Sequence, residues 1–237
     1  MKVLAVNSSP KMDKGNTDVI LAPFLDGMKS AGAEVDLIYT RKLNISPCQG
    51  GFACWFKTPG ECFQKDDMQA IIPKLSEADV WVLATPLYVD GMTGPMKNFI
   101  DRCLPLIEPS VELQSGHSCH PLRDKDKLSG KIVLVSNCGL WELDNFDPLV
   151  SHVKAICRNM NREFVGALLR PHGGGLREMV ERAGLMPDIV DAAREAGHQL
   201  AAAGEISTET LNIISQEKVS LEKHLKIMNK WADRREN

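Results

Sequence analysis

The sequence predicts a doubly wound α/β domain over roughly residues 1–170, and three observations predict it. Residues 3–6, 80–84 and 132–135 are short, nearly unbroken apolar runs, the pattern of strands covered on both faces of a parallel sheet. Helical patterns lie between these runs, so strand and helix alternate along the chain. The 237 residues are 43% hydrophobic and 25% charged, an ordinary globular balance that is enough to bury a large core without disulfides.

Each element follows from its own spacing. Residues 3–6 form the first strand. A helix over 17–31 sets Ile20, Phe24 and Met28 on one face, and Gly32 stops it. Residues 35–39 alternate through Val35, Leu37 and Tyr39, as a less buried strand does. Met68, Ile71, Ile72 and Leu75 mark a helix over 68–75, and the third strand follows at 80–84. In the helix over 95–103, Pro95 sits where a first turn accepts it, ahead of Met96, Phe99, Ile100 and Cys103. The segment 104–129 is polar, turn-rich and long for a connection, so it is expected to cover the site. After the strand at 132–135, Val150, Val153, Ile156, Cys157 and Met160 give a helix over 149–160, and 164–169 is a fifth strand.

Beyond Gly175 the pattern is helical, over 187–203 and 208–232. In the latter, Leu211, Ile214, Lys218, Leu221, Leu225, Met228 and Ala232 form a heptad-like seam broken in polarity at Lys218. Two readings of that seam stand: it folds back on its own domain, or it meets a partner subunit. The expected organisation is therefore a core at 1–175 and a helical extension at 176–237 for packing or oligomerisation.

Charge and composition exclude several classes. A net charge of −3 and a pI near 6.1 give no basic footprint for nucleic acid and no polybasic membrane anchor. No stretch approaches the ~18 apolar residues of a membrane span. The opening MKVLAVNSSP has too few apolar residues for a signal-peptide core. The expectation is a cytoplasmic protein without nucleic-acid or membrane partners. Its seven cysteines are then thiols or ligands rather than a disulfide framework.

In an open α/β sheet, ligands bind outside the carboxyl ends of the strands, where strand order reverses. The first strand runs into NSSPKMDKGNT, where Ser8, Ser9, Gly15, Asn16 and Thr17 precede a helix. Hydroxyls beside the free N–H groups of a helix start suit a phosphate. An ordinary turn with Asn16 as N-cap is the alternative. Neither G-x-G-x-x-G nor a Walker sequence is present. The third strand runs into TPLYVDGMTGP, where small residues let a flat ring approach the backbone around Tyr88, or where Tyr88 packs on the core. The fourth runs into SNCGLW, with Asn137, Cys138 and Gly139 bordering the same crevice and Trp141 placed to shield it.

Three stretches together, SSPKMDKGNT, the cysteine segment ending in KDDM, and ATPLYVDGMTGPMKNFIDR, resemble the NAD(P)H-dependent FMN reductases and iron-sulfur flavoproteins of the flavodoxin-like superfamily. The resemblance covers about the first 170 residues. It implies a flavodoxin-like five-stranded parallel sheet of order 2-1-3-4-5 that binds FMN. By position, Ser9, Lys11, Asn16 and Thr17 would hold the FMN phosphate. Pro86, Leu87, Tyr88, Asp90 and Gly91 would line the isoalloxazine ring, with Asn137 and Gly139 at its other edge. Lys11 stands where many relatives have arginine, a point charge in place of a bidentate fork. The implied activity takes a hydride from NADH or NADPH and passes electrons to free flavin, a quinone or another small acceptor. Flavin carries that chemistry, so no catalytic side chain is named. A homodimer or homotetramer is expected. The alternative is an iron-sulfur flavoprotein or FMN electron carrier serving a protein partner.

The segment SPCQGGFACWFKTPGECFQKDDM matches the stretch that carries a [4Fe-4S] cluster in iron-sulfur flavoproteins. Four thiolates hold such a cluster. Here Cys48, Cys54 and Cys62 take three positions and Gly51 stands at the other, which disfavours a cluster. The favoured reading makes this loop part of a dimer interface at a neighbouring flavin pocket, with Trp55 and Phe56 as apolar contacts. His117, Cys119 and His120 lie close together but lack regular zinc spacing. His172–Gly175 matches a lipase oxyanion loop, yet no G-x-S-x-G elbow exists to accompany it. Arg170 and His172 are candidates for touching the nicotinamide.

Overall fold

A computed structural model of the chain describes residues 1–114, 116–124, 130–181 and 184–233. Strand β1 (Lys2–Asn7) leads through helix α1 (Asn16–Ser30) to β2 (Glu34–Tyr39). The short α2 (Ala53–Phe56) and α3 (Met68–Glu77) precede β3 (Val80–Pro86). Helix α4 (Gly94–Asp101) is followed by a hairpin of β4 (Glu112–Gln114) and β5 (His117–Cys119). Then come β6 (Lys131–Asn137), α5 (Asp147–Asn159), β7 (Glu163–Arg170) and α6 (Leu176–Glu181). Helices α7 (Pro187–Ala203), α8 (Thr208–Ser215) and α9 (Leu221–Asp233) complete the described chain.

The main sheet runs β2-β1-β3-β6-β7 with every pair parallel. With the separate hairpin set aside, this is the order 2-1-3-4-5 that the family resemblance implies. The five predicted strands and the first four predicted helices are all present, with ends moved by one or two residues. Alternation along each strand divides the core. Val3, Ala5, Val80, Val82, Val133 and Val135 face α1, α7 and α8, whereas Leu4, Val6, Trp81, Leu83, Ile132 and Leu134 face α3, α4 and α5. The winding direction reverses between β1 and β3, so the carboxyl ends of those two strands open the crevice of a doubly wound fold.

Two glycines decide how the last long helix joins the core. A Cβ on Gly197 of α7 would lie 1.9 Å from the Phe24 carbonyl oxygen, and one on Gly27 of α1 would lie 1.9 Å from that of Arg194. The two helices thus meet backbone to backbone, with Ile189, Ala193, Ala196 and Leu200 sharing the core of Ile20, Phe24 and Met28.

Two expectations are corrected. The helix predicted over 208–232 is two helices. Arg170, fully buried, donates from Nη1 to the carbonyls of Ile214 (3.0 Å) and Gln216 (2.8 Å). It satisfies the unpaired carbonyls at the end of α8, and Lys218 turns away to pair with Asp188. The seam is divided as a result: Ile214 is buried on the parent domain, while Leu221 and Leu225 are exposed. The segment 104–129, expected over the site, lies elsewhere in its described part. Gln114 bonds Asn161 just before β7, and Leu106 and Leu122 line a cavity with Trp81 and Arg162 at the amino ends of the strands. Residues 115 and 125–129 lie outside the described residues, as do 182–183 and 234–237 of the extension.

Candidate functional site

Helix α1 starts at the carboxyl end of β1 with Gly15 as its N-cap, so no side chain caps its first N–H groups. A Cβ at Gly15 would lie 2.3 Å from Ser9 Oγ, so a side chain there would displace that hydroxyl. Ser9 is buried; its N–H donates to Asn7 Oδ1 (2.9 Å) and its Oγ accepts from the Lys11 amide (3.4 Å). The Lys11 side chain is exposed at the loop's rim. A helix start without a cap, wrapped by buried hydroxyls, is an anion cradle by its chemistry.

Other loops converge on it. Thr17 donates its hydroxyl to Asn137 Oδ1 at 2.6 Å, and the Leu87 amide donates to the Asn137 carbonyl at 2.9 Å. One residue at the end of β6 therefore ties the first turn of α1 to the loop after β3. Pro86 ends β3, and Tyr88 and Gly91 bond to each other across a two-residue turn (3.0 and 3.2 Å). Its central residues are left-handed, Val89 at φ +46° and Asp90 at φ +60°. Val89 is 98% exposed and Tyr88 half exposed. A cleft of ≈ 250 Å³ opens between Ser8, Arg41, Tyr88 and Thr93. Gly139 is exposed, and its carbonyl accepts from His224 of α9 at 3.0 Å. Trp141 donates to the Val219 carbonyl at 3.0 Å, holding the link between α8 and α9.

The structure thus brings together Ser9, Lys11, Asn16, Thr17, Pro86, Leu87, Tyr88, Asp90, Gly91, Asn137 and Gly139 at one edge of the sheet. Arg170 and His172, the candidates for the nicotinamide, instead pack into the protein. Both are buried, Arg170 Nη2 contacts His172 Nδ1 at 2.9 Å, and burial pushes the His172 imidazole down to about 4, keeping it neutral. Sequence reading missed Asp18, Thr93 and Arg177. Thr93 caps α4 and donates to Ser8 Oγ at 2.8 Å; the T-G-P preceding the helix carried that signal. Burial pushes the Asp18 carboxyl up to about 6, against the opposing charge of Arg177.

A family model described as NADPH-dependent FMN reductase matches residues 1–153. The chain belongs to that family. The NADPH-dependent FMN reductase family assignment agrees with the curated relatives. An iron-sulfur flavoprotein of Archaeoglobus fulgidus is 40% identical over 102 residues, 43% of this chain and 48% of that protein. A second from the same organism is 36% identical over 139 residues, 59% of this chain and 56% of that protein. These matches span about half the length of the relatives. Two solved structures share the fold at 15% identity. An FMN-dependent NADH-azoreductase from Bacillus anthracis has a TM-score of 0.62, over 84% of this chain and 99% of its own. An NAD(P)H:quinone oxidoreductase from Methanothermobacter marburgensis has a TM-score of 0.60, over 84% and 96%.

The cysteine segment holds three thiols in different surroundings. Cys48 is exposed, Cys54 is buried, and Cys62 accepts from Arg102 Nη2 at 3.3 Å. Arg102 also forks onto buried Asp66, at 2.6 and 3.0 Å. A Cβ at Gly51 would meet only the Phe63 ring, at 4.0 Å, so there is room for a side chain there. Among the described residues no three metal-ligating side chains converge. Three thiols, one of them facing a guanidinium, do not make the four-thiolate set of such a cluster.

Proposed function

We propose that this chain is an FMN-dependent oxidoreductase that takes a hydride from NADH or NADPH and passes electrons to free flavin, a quinone or another small acceptor. The observation that carries this reading is the uncapped start of α1, set in the loop of Ser9, Lys11, Asn16 and Thr17 at the reversal point of the sheet. FMN supplies the redox chemistry. The chain supplies position and charge. Amides at the start of α1 and the buried hydroxyl of Ser9 bind the phosphate, and exposed Lys11 adds a cation. The turn at Pro86, Leu87, Tyr88, Asp90 and Gly91 presents backbone and one aromatic face to the flavin ring, and Asn137 and Gly139 border its other edge. No acid or base is asked of any side chain.

On this reading residues 1–175 bind the cofactor and 176–237 pack against them and assemble a cytoplasmic homodimer or homotetramer. The exposed Leu221, Leu225 and Ile227 of α9, and Phe52 and Phe56 of the cysteine loop, support the assembly. A second reading, an electron carrier exchanging with a protein, draws on the names of the curated relatives and on the three thiols of the cysteine segment. The visible spectrum of anaerobically purified protein separates the two. Flavin bands alone, bleached by excess NADH or NADPH and restored by a quinone, are the expected result. Flavin that stays oxidised under both nucleotides sinks the reductase reading, and a broad iron-sulfur shoulder favours the carrier.

A further inference from the structure

The loop that would hold the flavin phosphate is itself held by a residue from the far end of the fold. Arg177 opens α6, 162 residues along the chain from Gly15. Its Nη2 donates to the Gly15 carbonyl at 3.2 Å and to the Asp13 carbonyl at 2.5 Å, and lies 3.6 Å from Asp18 Oδ2. Its backbone N–H donates to Asn16 Oδ1 at 3.1 Å, and Asn16 Nδ2 in turn donates to the Gly173 carbonyl at 2.8 Å. Glu181, one turn on, pairs with Nη1. Arg177 Nε is buried and has no hydrogen-bond partner among the described residues.

These contacts have two consequences for an anion at the start of α1. The C=O and N–H of one peptide unit point in opposite directions. A guanidinium that draws the Gly15 carbonyl to one side therefore turns the Asn16 amide to the other. Asp18 raises the second issue. Its carboxylate stands in the first turn of α1, where it opposes any incoming anion, and Arg177 is the cation beside it. Asn16, expected from the sequence to touch the phosphate, has both ends of its amide engaged by the segment after β7.

We propose that Arg177 is a positioning residue for the cofactor phosphate: it orients the loop amides and offsets the charge of Asp18, so that phosphate affinity depends on the segment after β7. This rests on the phosphate-loop reading above. The test compares FMN with riboflavin, which lacks the phosphate, by fluorescence titration of the full-length protein. Wild type is expected to prefer FMN, and Arg177→Met to weaken FMN by about tenfold or more while riboflavin changes by less than about twofold, the scale of one lost charge-assisted contact. Arg177→Lys keeps the cation but loses the fork. It is expected to lose FMN affinity in the same phosphate-specific way, by less, and it serves where the methionine variant does not fold. Equal losses for both ligands, or none for FMN, overturn the proposal while leaving the site reading intact. A wild type without preference for FMN overturns the phosphate-loop reading, and Arg177 with it.

Discussion

At the scale of the residue, the most strained position of the site is Val89. A β-branched side chain at φ +46° is rare, because Cβ crowds the backbone there. Turns with two left-handed residues ordinarily use Asn or Gly. Val89 is 98% exposed, so no burial offsets the strain. Val89→Asn is expected to raise unfolding free energy by about 1 kcal/mol, read as a higher denaturant midpoint at unchanged slope. A lower midpoint would mean that the valine makes a stabilising contact. Sequence and structure diverge by residue in an instructive way. Ser9, Thr17, Tyr88 and Asn137 were readable as candidates because they lie at or beyond the carboxyl ends of strands, where the fold rule places ligands. Arg177 was not, since its partners lie across 162 residues and only folding brings them together. Asn16, expected at the phosphate, turns its amide to Gly173 and Arg177.

At the scale of the element, the parallel strands were readable because burial on both faces leaves unbroken apolar runs. The end of α8 was not, because a tertiary contact ends it: Arg170, inside β7, takes the carbonyls of Ile214 and Gln216. Local periodicity continues past that point and cannot register a guanidinium arriving from another strand. The meeting of α1 and α7 was equally hidden, since glycine in a helix reads only as a weak helix former. Here it permits contact between backbones. Propensity alone would have Gly197→Ala add about 1 kcal/mol. A Cβ placed 1.9 Å from the Phe24 carbonyl reverses that sign, and the variant is expected to lose about 1–3 kcal/mol by chemical denaturation. Any gain in stability would show that the two helices do not touch at this point.

At the scale of the whole molecule, two buried titratable groups from distant parts of the chain act against each other. Asp18, in the first turn of α1, faces Asn7, Arg177, Asp13 and Glu181; burial lifts it from 3.8 to about 6. His172, after β7, faces Arg170 and His224; burial and their charge lower it from 6.5 to about 4. On acidification from about pH 6 to pH 4, folded Asp18 takes up a proton that the unfolded chain does not, which stabilises the fold. Over the same window the unfolded chain protonates His172 and the folded chain does not, which destabilises it. Each effect approaches about 1.4 kcal/mol per pH unit at most, with opposite sign, so the pair nearly cancels. Single variants remove the cancellation. Asp18→Asn leaves the histidine term alone, and its stability is expected to fall by about 1–3 kcal/mol from pH 6 to 4 relative to wild type. His172→Gln, which keeps an acceptor for Arg170, leaves the aspartate term alone and is expected to gain a similar amount over the same interval. Differences between the urea-unfolding profiles of the three proteins report on the two groups. Three parallel profiles would mean that neither group is held away from its ordinary protonation by the fold.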